Sequence, residues 1–555
     1  MTVLVSDRRR AVLALLALSL GLRVAWFAVG PAAIESEGAY YARVGENLAR
    51  GRGYVGIREA GLQILYPPLY PASIALGVRA GLPAETAGRL VSLLFGSVFP
   101  LLALALARAL YGERAGWFAG LLAAVHPLLV ALSAAVLTES VYLTLLLAAI
   151  LLTVRSLTSG SARAAAGAGL VLGLAYWTRP EALALAGAFA FVLAASRMPG
   201  ARGALARGAA AAVAFLGVAL LYAVPLSLHV GAFRLEAKSP ESVAFLRRHW
   251  AGESETQIYF SVDSDLRDTG ISNVSNLDMI RNTAPASPGE RWRLALPGVK
   301  RNLPRFFAWL LVKRSLGVPV LSLLAALGFL SAGFTRRRIW LEAPLLAVVL
   351  LNLVTFSSWP YLHERFIFPV LVPGVVWAGA GLAVLRDRLP RRWGAPLGGA
   401  GRYRGAEAIA LALVVATSAW GVSRADEVSE SWARRNVAAR RIGERLRADL
   451  GDRLRLTDTQ PTIAYYAGAV LVPFPWTDAE TAVRYLDARR PDLVVVRRSA
   501  GPSLPYARSW FENGVPLGSG TELGAFDLGD DEARIFRWSA PGGPGGERLP
   551  PAAPR

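Results

Sequence analysis

Residues 8–30 read RRRAVLALLALSLGLRVAWFAVG. Three arginines precede a run interrupted only by Ser19 and Arg23, and about twenty such residues suffice to cross a ~30 Å hydrocarbon core. The pattern recurs at 86–107, 115–133, 139–154, 164–178, 181–196, 208–228, 314–334, 340–357, 366–385 and 406–422. A soluble α/β protein would break such blocks into shorter runs. The expectation is therefore a mainly α, polytopic membrane protein with eleven spans. Residues 67–82 are apolar but rich in Pro and Gly, and read as a short helix at the membrane surface or partly inserted. The basic start followed by an apolar run also suits a cleaved signal peptide. Arg23 within the run and the lack of a small-x-small site argue for a retained span.

Composition agrees. Of 555 residues, 54% are hydrophobic and 18% charged, against roughly 25% charged in soluble domains; the mean hydropathy is +0.39. The net charge of +20 does not point to nucleic acid, because it is segregated into short loops between apolar blocks. There is no cysteine, which excludes disulfides and thiol chemistry. The four histidines, His126, His229, His249 and His363, are too scattered to build a metal site.

Alternate connections are basic. Arg8–Arg10, Arg108 with Arg114, Arg155 with Arg163, Arg197 to Arg207, Arg336–Arg338 and Arg386 to Arg404 hold most of this charge, with few acids among them. Such loops stay cytoplasmic. With eleven spans and a cytoplasmic N-terminus, all six clusters fall on one side. Residues 31–66, residues 229–313 and everything after about 423 then lie outside, in a chain placed in the plasma (inner) membrane.

Residues 1–423 are expected to form the membrane domain. Residues 424–540 change character: helical spacing runs through Ser431–Leu450, strands are expected at Leu454–Thr457, Val470–Pro473 and Asp492–Arg497, and helices near Ile463–Tyr466 and Ala479–Arg489. Alternating strands and helices imply a small α/β extracytoplasmic domain. The Pro/Gly-rich residues 541–555 read as disordered.

The first outer loop, Ile34–Leu48 (IESEGAYYARVGENL), carries two carboxylates directly after the first span. Glu37 falls near a helix start, where a carboxylate is electrostatically favoured; Glu35 and Glu37 then either cap a helix or do chemistry. A carboxylate in reach of an acceptor hydroxyl serves as general base, worth about 10²–10⁴-fold.

The segments Glu35–Tyr54 (ESEGAYYARVGENLARGRGY), Tyr66–Pro71 (YPPLYP), His126-Pro127, Thr138-Glu139-Ser140, Trp177–Glu181 (WTRPE) and Tyr361–Pro369 (YLHERFIFP) resemble, in order, glycosyltransferase family 39 and its bacterial relatives. These include the protein O-mannosyltransferases and the lipid A aminoarabinose transferases. The resemblance spans most of residues 11–385. It implies the C-type glycosyltransferase fold, a polyprenyl-phosphate sugar donor, inversion at the sugar, and a catalytic acid in the first outer loop. That acid is usually Asp; the matching position is Glu37, with Glu35 as its rival. Some relatives carry a phosphate-contacting Lys before the Pro-rich segment, where this chain has Tyr66.

Phosphate contacts are accordingly sought among Arg58, Arg179 and Arg365, the last beside His363 and Glu364, since Arg pairs with phosphate in a bidentate manner. The alternative for each is an arginine reaching from a helix end to the interface. Arg23 lies roughly 10 Å below the outer end of its span, and an intramembrane charge is a functional candidate by default. Glu139 either pairs with an arginine, orients the sugar or caps its helix. Tyr40, Tyr41 and Tyr66 are candidates to line the sugar pocket. Glu35, Glu37 and Glu139 are suited to a divalent ion, but arginines can neutralise a lipid monophosphate, and no metal or other cofactor is expected.

The reading is a membrane glycosyltransferase that moves a sugar from a polyprenyl-phosphate donor to an acceptor glycan, lipid or protein, with membrane lipids around it and no nucleic-acid partner. The alternatives are a transporter or flippase, which would place charges near the midplane of two matching halves, and a lipid-diphosphate-sugar polymerase or ligase built on the 229–313 loop.

Overall fold

The computed structural model describes residues 2–30, 33–196, 198, 203–312, 319–331, 333–360, 364–388, 433–451, 453–516 and 520–539. The expected span 406–422 and the tail 541–555 lie outside the described residues. The chain divides into two units. The first comprises Met1–Gly56, Leu62–Gly252 and Asn276–Ala433; the second comprises Ile57–Gly61, Glu253–Ser275 and Arg434–Arg555. The sequence reading drew one boundary near 423; the second unit instead also takes in two short segments from the expected outer loops.

The first unit is helical. In order it contains α1 (Thr2–Val29), α2 (Ser36–Ala49), α3 (Leu69–Arg79), α4 (Ala84–Tyr111), α5 (Glu113–Val125), α6 (Pro127–Leu132), α7 (Glu139–Ser159), α8 (Ala162–Tyr176), α9 (Ala182–Ala195), α10 (Ala204–Val230), α11 (Lys238–Trp250), then, past the second unit's α12 (Glu255–Phe260), α13 (Asn276–Asn282), α14 (Pro288–Val312), α15 (Pro319–Ser331), α16 (Arg336–Ser357) and α17 (Leu371–Arg388). Six helical stretches, within α1, α4, α7, α10, α16 and the 367–388 region, are long and apolar enough to cross a membrane, and three shorter apolar helices accompany them. The protein is a multi-pass membrane protein.

Two expected spans are broken. Block 115–133 is α5 and α6, because Pro127 has no N–H to continue the helix and His126 is extended at φ −63, ψ 118. Arg23 fills the gap: it is fully buried and donates to the carbonyls of Ala123 and Ala124 at 3.4 and 3.1 Å, and to Ser133 Oγ at 3.0 Å. An intramembrane charge is thereby satisfied by carbonyls freed at the break. The block expected at 366–385 begins as a 3-10 turn, Glu364–Val370, with Pro369 inside it, and becomes α-helical only at Leu371.

The segment 67–82 contains α3, which packs on α2 and α4. The Tyr70 hydroxyl lies 2.9 Å from both the Gly88 carbonyl and Ser92 Oγ. Close approach fixes α2: a Cβ on Gly45 would sit 2.5 Å from Ile74 Cγ2, and one on Gly38 2.9 Å from the Val136 carbonyl. Only glycine admits these contacts.

The second unit is a five-stranded mixed sheet, ordered β2-β1-β3-β5-β4. Its strands are β1 (Arg455–Thr457), β2 (Val470–Val472), β3 (Leu493–Arg497), β4 (Gly520–Asp527) and β5 (Glu532–Trp538). β1 pairs in parallel with β2 and β3; β5 is antiparallel to β3 and β4. A helix over 433–450 leads into the sheet, and Pro461–Tyr466 and Ala479–Arg489 follow as helices. Every residue of β3 is buried, as expected of a strand covered on both faces. Arg497 and Asp458 form a buried pair with two bonds of 2.7 Å at the end of β3.

Candidate active site

The site is assembled from the ends of helices that are far apart in sequence. α2 starts at Ser36 with Glu35 at its N-cap, but the Glu35 side chain makes no capping bond and is exposed. Glu37 sits in the first turn, half-buried. It accepts from the Tyr41 hydroxyl, one turn on, at 3.3 Å. The larger part of α2 is buried through Ala39, Tyr40, Tyr41, Ala42 and Val44, so the turn that carries Glu37 is held firmly.

Arg365 reaches Glu37 from the 3-10 turn and forms an ion pair with its Oε2. The same guanidinium donates from Nε and Nη2 to Glu139 Oε1 at 2.8 and 2.5 Å. Glu139 opens α7 and is completely buried. Arg179, between α8 and α9, lies 3.4 Å from both Glu139 Oε1 and Glu181 Oε1, and stacks over the Tyr142 ring at 5.6 Å. The result is a continuous line of charges, Glu37, Arg365, Glu139, Arg179, Glu181. The second oxygens of Glu139 and Glu181 are buried without a hydrogen-bond partner among the described residues.

Burial would raise the Glu37 carboxyl, but Arg365, followed by Lys238 and Arg179, reverses this and holds it down at about 2. The opposite happens at Tyr41: burial, then the Glu37 charge, pushes its phenol well above the usual range. Tyr41 is therefore a lasting donor and Glu37 a lasting anion at neutral pH.

Of the residues named from the sequence, Glu37, Glu139, Arg179 and Arg365 form one network. Tyr40 and Tyr66 stack at 5.8 Å between centroids, and Tyr41 meets Tyr66 edge-on at 4.8 Å, so the three tyrosines wall the same corner. The Leu69 amide donates to the Trp177 carbonyl at 2.9 Å, which ties YPPLYP to WTRPE. Arg58 falls in the second unit, where its Nη1 donates to the Ser272 carbonyl at 2.8 Å. His363 lies outside the described residues. Sequence reading did not single out Glu181, Tyr142 or Lys238. Glu181 ends the quoted WTRPE motif, and Lys238 is one of three lysines among 60 basic residues; both signals were available. Among the described residues no cluster of three or more His, Asp or Glu side chains is arranged to hold a metal ion.

The structural likenesses give this chain the C-type glycosyltransferase fold. Comparison with known proteins gives the particular relations. Residues 66–227 match the family described as dolichyl-phosphate-mannose-protein mannosyltransferase, which agrees with the resemblance read from the sequence. The chain is similar in structure to ArnT from Cupriavidus metallidurans bound to undecaprenyl phosphate, with a TM-score of 0.54 and 14% identity over 97% of this chain and 98% of that one. It is also similar to the oligosaccharyltransferase AglB from Archaeoglobus fulgidus in complex with an inhibitory peptide and a dolichol-phosphate, with a TM-score of 0.58 and 13% identity over 96% of this chain and 75% of that one. No protein of curated function matches the chain.

Proposed function

We propose that this protein transfers a sugar from a polyprenyl-phosphate donor to an acceptor hydroxyl at the extracytoplasmic face of the plasma membrane, with Glu37 as general base. The acceptor is a glycan, lipid or protein. The observation that carries the reading is the Glu37–Arg365–Glu139 arrangement: a carboxylate anion and a cation share one corner at the mouth of a helical bundle. The acceptor O–H gives its proton to a Glu37 oxygen as the acceptor oxygen bonds to the anomeric carbon. The bond from that carbon to the phosphate oxygen breaks, and the lipid phosphate leaves with the electron pair. Attack from the face opposite the phosphate inverts the sugar. Tyr40, Tyr41 and Tyr66 offer flat apolar faces and hydroxyls to a sugar ring.

A carboxylate held down at about 2 is a weak base. Proton transfer to Glu37 is helped if Arg365 turns toward the developing phosphate charge, because the same movement strengthens the leaving group and frees the base. The reading calls for no metal, since arginines supply the positive charge. It is supported by the family match over 66–227.

The test is transfer of labelled sugar from its polyprenyl phosphate in membranes expressing Glu37→Gln or Glu35→Gln. Loss of about a hundredfold or more with Glu37→Gln, at normal expression, supports the assignment. Loss with Glu35→Gln alone moves the base to Glu35. Full activity in both removes the proposed site.

A further inference from the structure

Between α2 and α3 the chain makes a short excursion. Residues up to Gly56 and from Leu62 onward belong to the first unit, but Ile57–Gly61 belong to the second. There they extend the sheet beyond β2, in parallel. The Leu471 amide donates to the Ile57 carbonyl at 2.8 Å, and the Leu471 carbonyl accepts from the Glu59 amide at 3.0 Å. β2 is an edge of the five-stranded sheet, and the excursion satisfies backbone groups that an open edge leaves unpaired. Ile57 is buried. Glu59 Oε1 accepts from Arg455 Nη2 at 2.6 Å and lies 3.7 Å from Arg489 Nη1. Gly61, at φ +83, turns the chain back, with its amide on the Arg58 carbonyl at 3.2 Å.

The neck of the excursion is tied to the corner walled by the three tyrosines. Val55 and Leu62 pair in antiparallel fashion, and the Gln63 amide donates to the Tyr54 carbonyl at 3.1 Å. Asn47 Nδ2, on α2, donates to the Val55 carbonyl at 2.8 Å. The Tyr54 hydroxyl donates to the Tyr66 carbonyl at 2.7 Å, and the Tyr66 ring is the one that meets both Tyr40 and Tyr41. A loop whose only task is to join α2 to α3 would leave its backbone to water. Here the backbone of 57–59 is held by the sheet, and the neck is held by side chains at the site. Five residues reach at most about 18 Å, so a shift of the sheet segment is passed to the neck.

We propose that this excursion is a strap by which the second unit sets the position of Tyr66, with Glu59 and Tyr54 as positioning residues for the donor sugar. The role for the sugar rests on the proposed function; the strap itself rests on the hydrogen bonds. Glu59 fixes the far end through Arg455, the sheet bonds fix the backbone, and the Tyr54 hydroxyl fixes the carbonyl of the residue whose ring walls the corner. Loosening the strap therefore acts on how tightly the sugar is held. It acts less on proton transfer, because Glu37 is held by Arg365 and Tyr41, whereas the strap bonds to Tyr66 and Asn47.

The experiment has two arms, both on the full chain in lipid nanodiscs. The first is hydrogen exchange read by mass spectrometry on peptides covering 62–70, for wild type, Arg455→Ala, Glu59→Ala and Glu59→Gln. Arg455→Ala and Glu59→Ala should speed exchange at the Gln63 and Tyr66 amides by about tenfold, the scale of one charge-assisted bond. Glu59→Gln, which can still accept from Arg455, should recover part of the protection, and β3 should stay protected throughout. Unchanged exchange over 62–70 in both alanine variants overturns the strap. The second arm is transfer of labelled sugar from its polyprenyl phosphate. Tyr54→Phe and Glu59→Ala should raise the donor KM by about fivefold, the scale of one hydrogen bond, with kcat within about twofold of wild type. An unchanged KM, or a loss confined to kcat, overturns the role for the sugar. If wild type transfers no sugar, the proposed function fails, while the exchange arm still decides the strap.

Discussion

Glu37 and Arg365 form an ion pair across 328 residues of sequence. It closes a loop between the start of α2 and the turn that leads into α17. The pair is neither fully buried nor freely solvated, at 28% and 22% side-chain exposure. In such a setting the attraction is strong enough to shift ionisation, and a ligand can still compete for it.

Acid titration should reveal this pair. The folded carboxyl of Glu37 is held at about 2, below the roughly 4.3 of an unfolded glutamate. Its contribution to stability is therefore complete above about 4.3 and is lost as the pH falls toward 2. The slope of melting temperature against pH in nanodiscs should be shallower for Glu37→Gln than for wild type in that window. Identical slopes would mean that the pair does not hold in solution.

Removing Arg365 should harm folding as well as transfer. Glu139 is fully buried and would keep only the longer 3.4 Å contact with Arg179. Stranding a buried charge costs about 3–5 kcal/mol, so Arg365→Ala should melt well below wild type. Glu139→Gln in the same chain should recover much of the loss, because the stranded charge is gone. A double variant no more stable than Arg365→Ala would refute the account.

Tyr41→Phe should be mild. Its bond to Glu37 is long, at 3.3 Å, and a neutral donor to a carboxylate is worth about 1–2 kcal/mol. Transfer should fall by roughly thirtyfold at most, with expression unchanged. A loss as deep as that of Glu37→Gln would assign Tyr41 a direct part in the chemistry.

In the second unit, Arg497 and Asp458 are 3% and 0% exposed. Asp458→Asn should destabilise that unit by about 3 kcal/mol or more, because it leaves the Arg497 charge buried without its counter-ion. Replacing both residues, Asp458→Leu with Arg497→Met, should cost much less. Limited proteolysis of the full chain reads this directly: early cleavage after residue 434 in the single variant and later cleavage in the double is the expected order, and the reverse order would show that the pair is dispensable.

The small sheet shows how far pattern reading reaches. Leu493–Arg497 holds the β-branched run Val494–Val496 and is a strand buried throughout. The β4–β5 hairpin was not read from the sequence. β4 is an edge strand, GTELGAFD, mostly exposed and bulged between Glu522 and Gly524, so neither alternation nor a buried run marks it. In the apolar block 115–133 the pair His126-Pro127 reads as a helix break, and the block does split there into α5 and α6; that Arg23 fills the gap was not legible, since it depends on a side chain a hundred residues away.

What the sequence alone determined is the membrane-embedded, mainly helical class of this protein, because a hydrocarbon core imposes a minimum apolar length that is visible residue by residue. It also named most of the charged residues that meet, because ionisable groups beside apolar blocks are few. Only the tertiary structure decided which charge faces which. That Arg365 is shared by Glu37 and Glu139, and that Arg179 is shared by Glu139 and Glu181, follow from how helix ends converge. Coulomb energy depends on distance in space, and sequence separation carries no information about it.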